Sequence, residues 1–432
     1  MPTSLSRRQL LQGTAIGSAA LFFGACSRRQ GDGTNGTAEL SYPSWQFAEA
    51  GVGEYWEESF AEFEQRKSGY TIKPTQIGAS DYFDKMVTQL GSGSAPDIMP
   101  MFTANMAQLI KSDVLAPLDD YLADVPWVEN ELPLFEFANH DGKQYGIVQT
   151  ASPYGLLYNK QLLDAAGVDV PTTAEDFLAA CLAVKDATGE WGYAAPTDTA
   201  QVLDTYIVTM QWVLGFGGDW ANADGKATAD SPETVDGMRM FQSLLDADVV
   251  PRGVNVENSR ALFKDGKAAF MIDGPWSLTF VKAENPDLYQ DLGYAAPPTP
   301  TKAAVTGGGF MTLPKASKNQ DIAWEYLAMI NEEPWQRRWL EELVQLPGQS
   351  LDPSPESLAN DPWLADMVEV AATSQAGFGY APPSPELAPH VSQLQNLVMG
   401  HVAKIWTGSI SVEDGLADCQ TDLENLISSL DL

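Results

Sequence analysis

Histidine and cysteine are scarce in this 432-residue chain, with three of each. His140, His390 and His401 lie far apart, and none stands in an H-x-x-x-H or H-E-x-x-H setting. The helical pattern of a zinc hydrolase is therefore missing. Three cysteines exclude a disulfide-built scaffold and a cysteine-rich metal module. Cys181, at helical spacing from Phe177, and Cys419, in an amphipathic C-terminal stretch, read as buried thiols rather than nucleophiles. Basic residues are also few: 25 Lys and Arg stand against 58 Asp and Glu, a formal net charge of −33. A chain so acidic lacks the cationic surface that nucleic acid requires and is not steered to anionic membranes. There is no G-x-S-x-G elbow, no P-loop and no strand-linked G-x-G-x-x-G. The one dense glycine cluster, Gly307-Gly308-Gly309, has none of the basic or hydroxyl partners of a phosphate cradle. No cofactor and no metal centre is expected. Past the first 25 residues, no apolar run approaches the roughly 18 residues of a membrane span.

What is present begins with Ser6-Arg7-Arg8-Gln9-Leu10-Leu11, followed by a mildly apolar stretch to Phe23 and then Gly24-Ala25-Cys26. A cationic start, a short apolar core and small residues before a cut have the layout of an export signal. Paired arginines beside Leu-Leu look like a twin-arginine address, and the Cys after Gly-Ala resembles a lipobox in which Cys26 becomes the lipid-modified N-terminus. Residues 1–25 thus read as a signal peptide and 26–37, polar and rich in glycine, as a flexible tether.

Beyond the tether, strand-like and helical runs alternate. Residues 39–44, 70–77 and 97–101 read as strands, with helices over 54–67, 81–90 and 105–111 between and after them. This order predicts parallel βαβ units and a helix-covered sheet, an α/β fold. Two strand-like pieces follow between Gly146 and Tyr158. Thr173 against Asp176 has the spacing of a helix cap. Helices then dominate, over 202–215, 231–247, 257–265, 275–283, 319–331, 334–344, 389–404 and 412–429. Pro297-Pro298 punctuates the chain before a strand near 307–313.

Several aromatic residues stand at strand ends and turns. Trp45 follows the first strand, Trp212 and Trp220 flank a glycine turn, Trp276 follows Asp273-Gly274-Pro275, and Tyr380 lies in a Gly-Tyr-Ala-Pro-Pro loop. Flat rings of this kind pack the C–H face of a sugar, while Asp, Glu, Asn and Gln take its hydroxyls.

Four passages in register carry a resemblance. Gly93-Ser-Ala-Pro-Asp-Ile98 is the first, and Tyr145-Gly-Ile with Gly155-Leu-Leu-Tyr-Asn-Lys160 the second. Phe263-Lys-Asp-Gly-Lys-Ala-Ala-Phe-Met271 with Asp273-Gly-Pro-Trp276 is the third. Gly307-Gly308-Gly309 through Leu313-Pro-Lys-Ala-Ser-Lys318 is the fourth. Together they resemble the extracellular solute-binding proteins of carbohydrate ABC transporters, the group that includes maltose-binding protein. The resemblance implies a two-lobed periplasmic-binding-protein fold of type II, a hinged clamshell with ligand in the cleft between lobes. Lobe one would be 38–149 plus 298–335, and lobe two 150–297 plus 336–432, with crossings near Gln149–Ser152 and Pro297-Pro298. It places Trp45, Gln46, Glu49, Thr103, Asn105, Tyr154, Trp276 and the turn bearing Gly308, Gly309 and Phe310 at the cleft. Trp212 and Tyr380 join them through their chemistry, whereas Asp97 and Lys267 are expected to be structural. The implied partners are a carbohydrate ligand, permease subunits with a cytoplasmic ATPase, and the membrane through the Cys26 anchor alone, with the protein a monomer that makes and breaks no bond. Two rivals are a receptor of the same fold for another solute, such as a glycerol phosphodiester, and an exported glycoside hydrolase, for which carboxylate pairs are never lacking in so acidic a chain.

Overall fold

Two four-stranded sheets organise the chain. In one, the strand Ile147–Pro153 lies between Leu346–Pro347 and Thr306–Thr312, and Met99–Phe102 takes the far edge. In the other, Gly155–Asn159 lies between Leu292–Ala295 and Ala268–Asp273, with Trp191–Ala194 beyond. The computed structural model describes residues 37–123, 125–373, 384 and 386–430. Ala38 onward forms one compact unit.

Only one residue, Tyr154, separates the central strand of the first sheet from that of the second. A second crossing runs from Ala295 in one sheet to Thr306 in the other, and the two are tied where Tyr154 N–H donates to the Val305 carbonyl at 2.8 Å. Gly155 is required beside this crossing, because a Cβ there would lie 2.1 Å from the Tyr294 ring. That ring is held in place by its hydroxyl, which donates to the Pro153 carbonyl at 3.0 Å.

The expected parallel pattern holds locally. Ala38–Ser44 runs parallel to Tyr70–Gln76, and Trp191–Ala194 parallel to Ala268–Asp273. The contacts at the centre of both four-stranded sheets are antiparallel, correcting the expectation. The reason is topological: strands such as Thr306–Thr312 return from far along the chain and insert beside early ones, so sequence neighbours are not sheet neighbours.

Packing follows the helical spacing. Tyr55, Trp56, Ser59, Phe60 and Phe63 line the buried face of the helix Gly53–Arg66. They meet Tyr326 on Gln320–Ile330 and Trp335 and Trp339 on Glu333–Glu341 in a dense aromatic core. The Thr173 cap forms as expected, its hydroxyl accepting from Asp176 N–H at 3.1 Å. That helix, Ala174–Thr188, ends at Gly189 with φ of 78°, the left-handed turn that favours glycine. Asp97 is a structural tie: it accepts from Ser41 N–H and Oγ at 2.9 Å, Ser317 Oγ at 2.7 Å and Asn319 Nδ2 at 3.1 Å. Lys267 pairs with Glu190 on the surface at 2.9 Å. Cys181 and Cys419 are buried free thiols, and burial pushes both toward the protonated form. No helix among the described residues is long and apolar enough to cross a membrane.

Candidate functional site

At the end of the strand Ala268–Asp273 the chain turns through Gly274 and Pro275 into the helix Trp276–Glu284. Asp273, 3% exposed, is saturated: it accepts from Arg260 Nε at 2.6 Å and Nη2 at 3.1 Å, from Gly274 N–H at 2.8 Å and from Ser277 Oγ at 2.6 Å. This two-point grip fixes the guanidinium plane. Burial opposes the charge of Arg260, yet the Coulomb and hydrogen-bond contributions of Asp273 outweigh it and hold the group above its usual range.

Arg260 lies over the half-buried Trp276 indole, 5.5 Å from the ring centroid. The indole folds back over Gly274, where a Cβ would come within 2.2 Å of it. Tyr154, at the crossing between sheets, meets Trp276 edge to face at 5.4 Å. Two further carboxyls sense the same guanidinium. Glu49, just after the first strand, is pushed up to about 7 by burial, partly offset by Arg260. Asp204, on the helix Val202–Gly215, is pushed up to about 6 by burial, again offset by Arg260 and reinforced by Asp273 and Glu257. Groups displaced this far from their ordinary values by burial are most frequent at functional sites. Near neutral pH such carboxyls can donate as well as accept a hydrogen bond, which suits hydroxyl ligands. The loop carrying Glu49 sits against the helix that Trp276 begins, since a Cβ on Gly51 would meet Thr279 and Ala283 at 3.4 Å.

A second set lies alongside. Glu49 N–H donates to the Gln46 carbonyl at 3.1 Å. The Gln46 side-chain oxygen accepts from Gln149 Nε2; the Gln149 side-chain oxygen is buried with no donor among the described residues and would lie 3.2 Å from a Cβ on Gly309. Thr103 Oγ1 donates to the Gly308 carbonyl at 3.0 Å, and a Cβ on Gly308 would clash at 2.1 Å with the Thr150 carbonyl. Gln46, Gln149, Thr103, Gly308 and Gly309 therefore bind one sheet end together. Asn105 is half-buried on the first turn of the helix Thr103–Lys111.

The structure thus brings Glu49, Tyr154 and Trp276 around Arg260. Trp45 lies near Gln46, but Phe102 stacks on its indole at 4.0 Å and Tyr82 meets its edge. Trp212 and Phe310 are core residues, a correction to the expectation: both are 0% exposed. Trp212 is packed among Phe177, Tyr193 and Phe241. A ring enclosed on both faces has none to offer a ligand. Tyr380 and Cys26 lie outside the described residues. Sequence reasoning missed Arg260, Asp204 and Gln149. Asp273 stood inside a motif, but Arg260 is 13 residues earlier with no local sign of its role.

The model of the bacterial extracellular solute-binding protein family matches residues 48–337. A binding protein of Brucella abortus is 26% identical over 73% of this chain and 78% of its own length. The arabinooligosaccharide-binding protein of Halalkalibacterium halodurans is 25% identical over 72% of this chain and 71% of its own. A solute-binding protein of Thermotoga lettingae, solved with α-D-tagatose bound, superposes with a TM-score of 0.80 at 24% identity, over 90% of this chain and 100% of that one. The fold is the two-lobed one of such proteins.

Proposed function

Because the chain belongs to the bacterial extracellular solute-binding protein family, we propose that it is the substrate-binding component of an ABC importer that holds a carbohydrate and releases it unaltered to a permease. The observation that carries this reading is the cluster of Trp276, Tyr154, Glu49, Asp204 and Arg260 beside the crossing between sheets. Trp276 and Tyr154 supply flat apolar surface for a pyranose or furanose face, and the carboxyls supply hydrogen bonds to its hydroxyls. Named carbohydrate ligands of the relatives point the same way: arabinooligosaccharide for one, tagatose for another. Glu49 belongs to the chain before the crossing, and Trp276 and Asp204 to the chain between the two crossings. A ligand touching all three favours the closed arrangement, and closure is the signal the permease reads. Export through the paired arginines and anchoring at a lipid-modified Cys26 complete the proposal: a monomer tethered outside the membrane, working with permease subunits and a cytoplasmic ATPase.

Calorimetric titration of the folded protein with monosaccharides, oligosaccharides and glycerol phosphodiesters tests it. Micromolar binding of a sugar with chemically unchanged ligand recovered afterwards is the expected result. Binding of a phosphodiester alone, or release of cleaved sugar, overturns it.

A further inference from the structure

Trp276 is the first residue of its helix and is half-buried. A side chain in that position keeps rotamer freedom unless its neighbours remove it. Three of them are placed against the indole. Gly274 gives it room, since a Cβ there would lie 2.2 Å from the ring. Tyr154 meets it edge to face at 5.4 Å, from the crossing between sheets. Arg260 lies over it, with 5.5 Å between the guanidinium carbon and the ring centroid.

One carboxylate sets the plane of Arg260. Asp273 Oδ2 accepts from Arg260 Nε and from Ser277 Oγ, both at 2.6 Å. Its Oδ1 accepts from Arg260 Nη2 at 3.1 Å and from Gly274 N–H at 2.8 Å. Each oxygen thus takes one bond from the arginine and one from the turn that carries Trp276. The carboxylate that shapes the turn also fixes the guanidinium lying over the ring on that turn. A two-point pair leaves the planar fork little rotation, and a cation over an indole face attracts it. A lysine ammonium in the same place would keep the charge but neither the plane nor the double grip. From this closed triangle of Asp273, Arg260 and Trp276 we infer that Arg260 is a positioning residue, locking the indole in one orientation before any ligand arrives. A ring already in place spares the ordering cost on binding. That use of the lock rests on the carbohydrate reading above; the lock itself does not.

Fluorine NMR of the whole ligand-free protein carrying 5-fluorotryptophan tests the inference, with the Trp276 resonance assigned from Trp276→Phe. A single narrow Trp276 line is expected. In Arg260→Lys that line should move or split by more than its own width, while the lines of enclosed rings such as Trp56 and Trp339 stay in place. An unmoved Trp276 line overturns the inference and reduces Arg260 to a partner for Asp273. Equal displacement of the enclosed rings overturns it too, because that marks a general loosening of the fold. Should Arg260→Lys fail to fold, nitrogen relaxation of the Arg260 Nε–H in the parent protein decides. An order parameter of about 0.85 is expected, and one below about 0.6 overturns the inference, since a mobile guanidinium cannot lock a ring. No sugar is present in either measurement, so failure of the carbohydrate reading leaves this result standing, and the reverse holds as well.

Discussion

Arg260 and Asp273 meet side on, Nε to Oδ2 at 2.6 Å and Nη2 to Oδ1 at 3.1 Å, with the carboxylate almost wholly buried and the guanidinium partly exposed. One partner comes from the helix Val256–Lys264 and the other from the last residue of a strand, so the pair joins two elements, and the guanidinium charge is felt by the carboxyls of Glu49 and Asp204.

Removing half of this pair strands a charge. Arg260→Ala leaves the Asp273 carboxylate buried with only neutral donors, and the expected loss is on the order of 3 kcal/mol in urea unfolding. Arg260→Met with unchanged stability would show that the pair adds nothing to the fold.

Trp276→Ala is expected to weaken carbohydrate binding more than about tenfold, the equivalent of one good aromatic contact. Circular dichroism should show an intact fold, since the indole is only half-buried. An unchanged dissociation constant removes Trp276 from the ligand site.

Glu49 and Asp204 make unliganded stability depend on pH. Both carboxyls sit higher in the folded state than their ordinary values of 4.5 and 3.8, at about 7 and about 6. Their contribution is present below the unfolded values and is lost as pH rises through the folded ones. The melting temperature should therefore fall between about pH 4 and pH 7, and Glu49→Gln should flatten the upper part of that fall. A variant with the parent's profile would mean that Glu49 titrates normally.

Gly155→Ala places a methyl group inside the Tyr294 ring, which its hydrogen bond to Pro153 prevents from yielding. A destabilisation of about 1–3 kcal/mol is expected, with ligand affinity lowered as well. Thermal melting alongside calorimetry separates the two effects.

Cys181 and Cys419 should be inert. Burial raises both thiols, Cys419 to about 12, so little thiolate exists at neutral pH. In protein lacking Cys26, a thiol-specific disulfide reagent should label nothing until denaturant is added. Rapid native labelling would mean that one of the two helices opens.

The order of elements was legible because periodicity is local. The helices Val202–Gly215 and Val412–Ser429 occupy the ranges read from the sequence, and the second starts at a Ser411 cap that accepts from Asp414 N–H. Short strands at 191–194 and 292–295 escaped notice: four residues carry too little pattern, and each is held by partners far along the chain. The site divided similarly. Glu49, Tyr154 and Trp276 sit beside turns and strand ends and are visible as such. Arg260 and Asp204 lie on helices, where an isolated charge usually marks a solvated face, and only the tertiary fold turns them toward Asp273. Trp212 erred in the opposite sense, since a neighbouring glycine turn does not reveal that Phe177 and Phe241 close over the indole.

The single-residue link at Tyr154 has a mechanical corollary. Its amide is pinned to Val305, so rotation of one sheet against the other has to pass through a few torsions in two laced strands rather than through a slack connector. The aromatic ring on that pivot also touches Trp276. If a sugar rests on the indole as proposed, it pushes on the axle itself, and occupancy and angle become one variable.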